Sequence, residues 1–291
     1  MRYYRLSSES GNLLIAHTGG TAYDLTSAHE TIGTFSDLAR AADVLSNDMD
    51  IDGVANRLVE RADPVELAVH QSEMALPVVA NEVWAAGVTY ETSSDARDEE
   101  SDQGQMYLDV YNGERPEIFF KATADRTSGP GGPVGIRDDS TWDVPEPELG
   151  IVLYRGSVVG YTIGNDMSSR SIEGDNPLYL PQAKIYENCC ALGPCVTTTP
   201  SIDDPHDLTL SMKIERTGET VYDEATSTSE MVRTCEELVS YLNRHNTVPE
   251  LSVLLTGTSL VPEDDFTLEE DDRISISIED IGTLENTVEI V

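Results

Sequence analysis

Two glutamates two positions apart, with an aspartate farther along the chain, are the residues of this sequence best suited to binding a metal ion. Glu146 and Glu148 alternate with Pro145 and Pro147, and proline favours an extended backbone over a helix. In an extended segment, side chains two positions apart point to one face, so the two carboxylates share a face. Together with Asp166 they would offer oxygen ligands, which suit Mg²⁺ and also Mn²⁺ or Ca²⁺.

Two apolar segments are expected to carry Asp166 back to the glutamates. Residues 151–154 and 158–163 are predicted strands, Gly156 lies in the turn between them, and Asp166 follows the second. The alternative is that a Glu-x-Glu pair is solvated surface charge, because the chain contains 54 acidic residues. Spacing alone leaves both interpretations open.

The charge of the chain indicates the salt content of its environment rather than the nature of its ligand. The net charge of −36 is spread along all 291 residues, and only three of the 18 basic residues are lysines. This composition is typical of a cytoplasmic protein from a high-salt, haloarchaeal organism, where salt screens self-repulsion. Such a surface would repel nucleic acid. Because lysine is rare, Lys121 and Lys184, which flank the acidic motif, are candidates for chemistry, whereas Lys213 lies in a strand-like segment and is expected to be ordinary.

Nothing in the sequence predicts export or membrane insertion. Residues 1–5 lack the apolar region of a signal peptide, and the chain has no run of 18 apolar residues. The four cysteines show no C-x-x-C spacing, so free thiols in a reducing cytoplasm are expected rather than zinc ligands or disulfides.

The patterns predict an α+β, β-rich protein in two parts: a small N-terminal α+β domain over residues 1–75 and a catalytic domain over residues 76–291. The first part has two short strands and two helices, over residues 35–45 and from Ile51 onward. The second is mainly strands, with a hairpin around residues 217–218, a helix over residues 229–245 capped by Ser229, a loop over residues 128–135, and a polar segment over residues 91–112 that is helix and loop or a mobile cover. A mixed, barrel-like β-roll is the natural class.

Six motifs in a fixed order resemble the fumarylacetoacetate hydrolase superfamily and span residues 80–291. They are the segments 87–90 (GVTY), 116–121 (PEIFFK), 146–149 (EPEL), 160–170 (GYTIGNDMSSR), 184–194 and 255–258 (LTGT). The resemblance implies that Glu146, Glu148 and Asp166 bind a metal, usually Mg²⁺, and that Lys184 is an active-site lysine. It also implies a mixed β-roll with a smaller N-terminal domain, assembled as a homodimer or homotetramer.

One departure from the family pattern indicates the branch. Hydrolases of the family have a histidine three residues after the tyrosine of the first motif, but this chain has Ser93 there, and neither Arg97 nor Asp98 replaces it. Glu117 adds a carboxylate to a motif that is usually apolar. Both features, with the segment 174–179, resemble the 2-keto-3-deoxy-sugar-acid dehydratases. The expected activity is therefore that of a Mg²⁺-dependent hydro-lyase, which converts a 2-keto-3-deoxypentonate (xylonate or arabinonate) into 2-oxoglutarate semialdehyde in oxidative pentose degradation, through a metal-stabilised enolate.

The expected roles follow from this chemistry. Lys184, with its pKa lowered by burial or by the ion, is the candidate base or enolate stabiliser; its structural alternative is a salt bridge to Glu187. Glu117 would protonate the departing C4 hydroxyl or relay a proton from C5. The expected substrate contacts are Thr89, Tyr90, Thr258 and Arg170, although Arg170 could equally hold a carboxylate of the protein. Asn165 is expected behind the metal ligands.

Two alternatives remain at this point. An acylpyruvate or fumarylacetoacetate-type C–C hydrolase, or an oxaloacetate decarboxylase, could use the same metal, but hydrolysis requires a water-activating base that the sequence does not supply. An inactive metal-binding relative is the second alternative, and the intact carboxylates and lysines argue against it.

Overall fold

The computed structural model of the protein describes residues 1–8, 11–45, 49–90 and 104–291. The strands are β1 (Arg2–Ser8), β2 (Gly11–Thr18), β3 (Thr21–Asp24), β4 (Asp63–Val65), β5 (Met74–Ala75), β6 (Glu82–Gly87), β7 (Glu117–Ala122), β8 (Thr127–Ser128), β9 (Pro133–Ile136), β10 (Asp143–Val144), β11 (Pro147–Tyr154), β12 (Ser157–Asp166), β13 (Ser168–Ser169), β14 (Cys190–Thr198), β15 (Thr209–Arg216), β16 (Glu219–Ser227), β17 (Leu251–Leu255), β18 (Arg273–Ile278) and β19 (Gly282–Ile290). The α-helices are α1 (Leu25–Ala28), α2 (Phe35–Val44), α3 (Ile51–Val59), α4 (Gly104–Tyr111), α5 (Arg170–Asp175), α6 (Leu180–Lys184) and α7 (Cys235–Asn243). Short 3₁₀ helices lie at Leu67–Glu73, Ala124–Arg126, Pro177–Tyr179, Thr199–Ser201 and Thr228–Glu230.

The N-terminal segment contains the two predicted strands and two predicted helices. The hydroxyl of Thr34 caps α2 by accepting from the amide of Asp37, and the Asp50 carboxylate caps α3 in the same way. Strand β1 pairs with β2 on one side and with β14 on the other, so the main sheet runs across both predicted parts of the chain. The division at residues 75 and 76 stays a prediction.

The central strands of the main sheet are buried on both faces. Its order is β4-β3-β2-β1-β14-β12-β11-β17-β6-β7, with β5 added to β1 and β8 added to β14. Every residue of β11, β14 and β17 is buried. These strands are therefore covered on both sides, and their alternation places polar side chains inside the protein rather than in solvent.

The main sheet curves back on itself. Strands β12 and β7 are four positions apart in its order, which in a flat sheet is roughly 19 Å. Nevertheless, Nζ of Lys121 on β7 lies 2.5 Å from Oδ1 of Asp166 at the end of β12. A lysine and an aspartate cannot span a flat sheet over that distance, so the sheet is rolled and its interior is the place where these side chains meet.

A second sheet, with the order β16-β15-β18-β19-β9, packs against the roll. The contact is close at Gly193 on β14, where a Cβ atom would lie 2.8 Å from Pro130 Cγ and 3.2 Å from Leu284 Cδ1. Parallel pairs, such as β17 with β6, occur beside antiparallel ones. With 42% strand and 25% helix, this architecture confirms the expected α+β, β-rich mixed β-roll.

Two local predictions are wrong. The helix expected over residues 229–245 begins only at Cys235, where Thr234 caps it in place of Ser229. Tertiary pairing accounts for this, because the Val232 amide donates to the Thr89 carbonyl and holds the preceding residues out of the helix. The loop expected over residues 128–135 includes strand β9, which pairs in parallel with β19.

Other expectations are met. The four cysteines are free, and the hairpin of β15 and β16 turns at Thr217 and Gly218 as predicted. Among the helices of the described ranges, none has the length and apolar character needed to cross a membrane.

Candidate metal centre and active site

The three predicted carboxylates meet inside the roll. Glu148 on β11 and Asp166 at the end of β12 lie on the same face of adjacent antiparallel strands, since Glu148 pairs with Gly164. Glu146 precedes β11 by one residue, and one carboxylate oxygen from each of the three residues lies within 4.8 Å of the others. All three residues are buried. The alternative of solvated surface charge is therefore wrong.

A short pair of strands holds together the segments that carry Glu146 and Asp166. Strand β10 pairs with β13, which joins the chain just before Glu146 to the chain just after Asp166. The amide of Asp166 also donates to the carbonyl of Glu146 over 2.9 Å. The two carboxylates are therefore brought together by main-chain hydrogen bonds as well as by strand pairing.

Two cations hold Glu146. Nζ of Lys184 lies 2.7 Å from Glu146 Oε2 and 3.5 Å from Asp166 Oδ2, and it donates to Ser168 Oγ over 2.5 Å. Nη2 of Arg170 lies 2.8 Å from Glu146 Oε1. Of the two roles left open for Arg170, the structure thus supports holding a carboxylate. The alternative partner of Lys184, Glu187, is exposed at the surface, whereas Lys184 is buried.

Lys121 also belongs to the cluster, although the sequence pattern indicated no specific role for it in the site. It is fully buried, and its ammonium contacts Asp166 Oδ1 as well as the carbonyl oxygens of Met167 and Lys184, at 2.8 and 2.5 Å. The scarcity of lysine singled it out as a candidate, but no sequence pattern indicated its partner. The cluster thus combines three carboxylates with the three cations Lys121, Lys184 and Arg170.

Glu148 differs from the other two carboxylates in its partner. Its Oε2 accepts a hydrogen bond of 2.6 Å from the amide of Gly257, in the loop after β17. Gly257 has a φ of +84°, and a side chain there would overlap Thr89 Oγ1, so only glycine presents this amide without strain. Burial, and then the charges of Asp166 and Glu146, raise the pKa of Glu148 well above its ordinary value.

The expected low pKa of Lys184 is wrong for the site without an ion. Burial would lower this pKa, but the negative charges of Asp166, Glu146 and Glu173 outweigh burial and raise it. Lys184 is accordingly protonated at neutral pH in the absence of an ion. Its ammonium also lies 5.7 Å from the centre of the Phe119 ring.

Glu117 lies on the same face of β7 as Phe119, because two residues separate one face position from the next. Its carboxylate lies over Gly87 on β6, and a Cβ atom at Gly87 would overlap Glu117 Oε2. The absence of a side chain at Gly87 therefore makes room for Glu117. The expected acid role of Glu117 stays a prediction.

Of the other expected substrate contacts, Thr89 contacts the loop that contains Gly257, and Thr258 belongs to that loop. Thr89 Oγ1 donates to the Thr256 carbonyl over 2.6 Å, so this hydroxyl also ties β6 to the loop. Tyr90 is buried, and burial followed by the charge of Glu148 raises its pKa. Thr258 is buried in the same loop. Their contact with substrate stays a prediction.

Three further expectations depend on regions away from the cluster or outside the described residues. Asn165 is buried on β12, where strand alternation puts it on the face opposite to Asp166, and its role behind the metal ligands stays a prediction. Ser93, at the position of the family's histidine, lies outside the described residues, as does the rest of the segment 91–103. The remainder of the segment 91–112 is described and contains α4.

The donor set fits a hard divalent cation. Its ligand atoms are all carboxylate oxygens, they are close enough to share one ion, and they are buried. A cavity of about 480 Å³ elsewhere, between α2, α3 and the β11–β12 turn, includes Ala39, Ile51, Tyr154 and Val158 in its lining. The carboxylate cluster remains the better candidate site, because among the described residues it combines candidate ligands with two buried lysines.

Comparison with known proteins agrees with this geometry. The family model described as fumarylacetoacetate (FAA) hydrolase C-terminal matches residues 82–289. The chain belongs to the fumarylacetoacetate hydrolase family. The resemblance inferred from the six motifs is thereby confirmed.

Two curated relatives and one solved structure are close to this member of the family. It is 58% identical, over 100% of both chains, to a probable 2-keto-3-deoxyxylonate dehydratase of Haloferax volcanii. It is 42% identical over 221 residues, 74% of each protein, to the 2-dehydro-3-deoxy-D-arabinonate dehydratase of Saccharolobus solfataricus. The structure of a 2-keto-3-deoxy-D-arabinonate dehydratase complexed with magnesium and 2,5-dioxopentanoate is 32% identical, covers 100% of this chain and 99% of its own, and superposes with a TM-score of 0.85.

Proposed function

We propose that this protein is a Mg²⁺-dependent dehydratase that removes water from a 2-keto-3-deoxypentonate and forms 2,5-dioxopentanoate, which is 2-oxoglutarate semialdehyde. The observation that carries the proposal is the buried cluster of Glu146, Glu148 and Asp166, in which Lys184 forms an ion pair with Glu146. Its support from the comparisons is the full-length similarity to a probable 2-keto-3-deoxyxylonate dehydratase.

Glu146, Glu148 and Asp166 would hold the ion. When bound, a divalent ion supplies positive charge that favours loss of a proton next to a keto group. Lys184 contacts two of these carboxylates, and their charge keeps its proton in place when no ion is present. Positive charge in the site would oppose that effect and lower the pKa of Lys184, so that it could accept the C3 proton.

The remaining groups are assigned by position. Glu117, on the face of β7 that carries Phe119, would protonate the departing C4 hydroxyl or move a proton from C5 to complete the aldehyde. Thr89, Tyr90 and Thr258 would contact the substrate, while Arg170 orients Glu146. A homodimer or homotetramer and a cytoplasmic location also belong to the proposal.

The test is incubation of the purified protein with 2-keto-3-deoxyxylonate or 2-keto-3-deoxyarabinonate, Mg²⁺ and high KCl, with detection of 2,5-dioxopentanoate. Glu148→Gln, which alters a proposed metal ligand, is the matched inactive control. Acylpyruvates and oxaloacetate are tested in parallel. Cleavage of these compounds, without dehydration of either pentonate, would show that the proposed reaction is wrong.

A further inference from the structure

Lys121 has the contacts of a residue that prepares the metal site rather than one that reacts. Its ammonium donates to the Met167 carbonyl at 2.8 Å and to the Lys184 carbonyl at 2.5 Å, and it forms an ion pair with Asp166 Oδ1 at 2.5 Å. The ammonium therefore lies among three oxygen atoms of the protein. Because the residue is fully buried, these contacts also compensate the cost of removing the charge from water.

The three contacts join separate elements of the fold. Lys121 lies on β7, Asp166 at the end of β12 and Lys184 at the end of α6. The contact to Asp166 fixes one carboxylate oxygen and leaves the other, Oδ2, on the side of Lys184. The contact to the Lys184 carbonyl fixes the main chain from which the Lys184 side chain reaches Glu146.

We propose that Lys121 is a positioning residue for the metal centre: it selects the Asp166 oxygen that binds the ion and anchors Lys184, and its charge weakens the binding of the ion. The weakening of ion binding follows from the positive charge of Lys121. An ion held by Asp166 lies beside the Lys121 ammonium, and two positive charges in a buried site repel each other strongly.

Removal of Lys121 should strengthen metal binding but slow the reaction. Loss of the charge removes repulsion and should tighten Mg²⁺ binding, while Asp166 keeps a cationic neighbour in Lys184, at 3.5 Å. Loss of the anchor should misplace Lys184 and slow the reaction. A merely structural role would instead weaken metal binding and activity together, since a loosened site binds an ion less well.

The experiment compares Lys121→Met with Lys213→Met, the matched control at the only lysine outside the site, which pairs with Glu215 on β15. Mg²⁺ affinity is measured by calorimetry without substrate, and Mn²⁺ binding by electron paramagnetic resonance, in high KCl. For Lys121→Met the expected result is Mg²⁺ binding at least about threefold tighter, with kcat at saturating Mg²⁺ lowered about 10- to 100-fold. Lys213→Met should change neither quantity.

Unchanged or weaker Mg²⁺ binding in a folded Lys121→Met protein would overturn the proposal, and so would an unchanged kcat. Circular dichroism and the thermal midpoint report folding. If this variant does not fold, Lys121→Gln carries the same test, because its amide group is a hydrogen-bond donor without the positive charge.

The proposal rests on the proposed function only for the interpretation of the change in kcat. Metal affinity is measured in the absence of substrate, so it decides the role of the Lys121 charge even if the protein does not dehydrate a pentonate. Absence of turnover by the unaltered protein, together with tighter Mg²⁺ binding by Lys121→Met, would contradict the dehydratase assignment alone.

Discussion

The ammonium of Lys184 lies 2.7 Å from Oε2 of Glu146, although 38 residues separate them in the chain. The contact places a proton-carrying group on a carboxylate that is suited to binding a metal. It also makes the reactivity of Lys184 depend on the charge within the site, since the carboxylates raise the pKa of this lysine. In the proposed reaction, metal binding and proton transfer would therefore be linked through this ion pair.

Replacing Lys184 by methionine should lower kcat by about 100- to 10,000-fold, because the group proposed to exchange a proton with the substrate is lost. Mg²⁺ binding should persist, since Glu146, Glu148 and Asp166 remain. Calorimetry and a turnover assay on the same preparation separate the two effects. Lys213→Met is the control, and an active Lys184→Met enzyme would remove Lys184 from the mechanism.

Gly87→Ala should reproduce the defect of Glu117→Gln. A Cβ atom at position 87 overlaps Glu117 Oε2, so the added methyl group displaces the carboxylate without altering any proposed metal ligand. Both variants should lower kcat by about 100-fold or more while Mg²⁺ affinity is kept.

The control for the alanine substitution is Gly33→Ala, because a Cβ atom there meets only the Asn12 carbonyl at 3.7 Å. If Gly87→Ala is fully active while Glu117→Gln is not, the carboxylate does not act from the position that the structure gives it. If both are fully active, Glu117 has no part in the reaction.

Mg²⁺ affinity should fall as the pH decreases. The pKa of Glu148 is raised by burial and by Asp166 and Glu146, so below this raised pKa the carboxyl holds a proton that the ion must displace. The dissociation constant should then increase by up to about tenfold per pH unit, for one proton displaced. Because the pKa is raised, the change should begin at a higher pH than for an ordinary glutamate.

Calorimetry in two buffers of different ionisation enthalpy counts the protons released when Mg²⁺ binds. Proton release that rises as the pH falls toward the raised pKa is the expected result. A dissociation constant that is the same at all pH values in the folded range would show that Glu148 is ionised throughout.

Asp143→Asn should stabilise the protein at neutral pH. Burial raises the pKa of Asp143 to about 6, so the folded state holds this proton more tightly than the unfolded state does. Ionising the group therefore costs stability as the pH rises from the unfolded pKa of about 4 to about 6, and the full cost is present above that range. Near neutral pH the substitution should raise the free energy of unfolding by about 1–2 kcal/mol, and near pH 4 by almost nothing.

Urea denaturation at constant high KCl measures both values. The control is Asp203→Asn, at an exposed position, which removes the same charge from the acidic surface without relieving burial. An equal gain in both variants would assign the effect to general repulsion between surface charges rather than to Asp143.

The sequence by itself determined the pair of strands that carries the candidate metal ligands. Strand alternation is local, so Glu146 and Glu148 share a face wherever their strand lies, and the apolar segments before Asp166 predict the returning strand. Composition singled out Lys121 and Lys184. The helix boundary at Cys235 was not predictable, because a hydrogen bond from Val232 to Thr89, far away in the chain, overrides the local helical pattern.

Only the tertiary structure decided which charges meet. Rolling of the main sheet brings Lys121 of β7 to Asp166, and the folding of α5 and α6 over the cluster brings Arg170 and Lys184 to Glu146. The raised pKa values of Glu148 and Lys184 follow from this assembly, because they depend on burial and on several charges at once. A local pattern can specify that carboxylates share a face, but the electrostatic balance among these six charges exists only once distant segments have packed together.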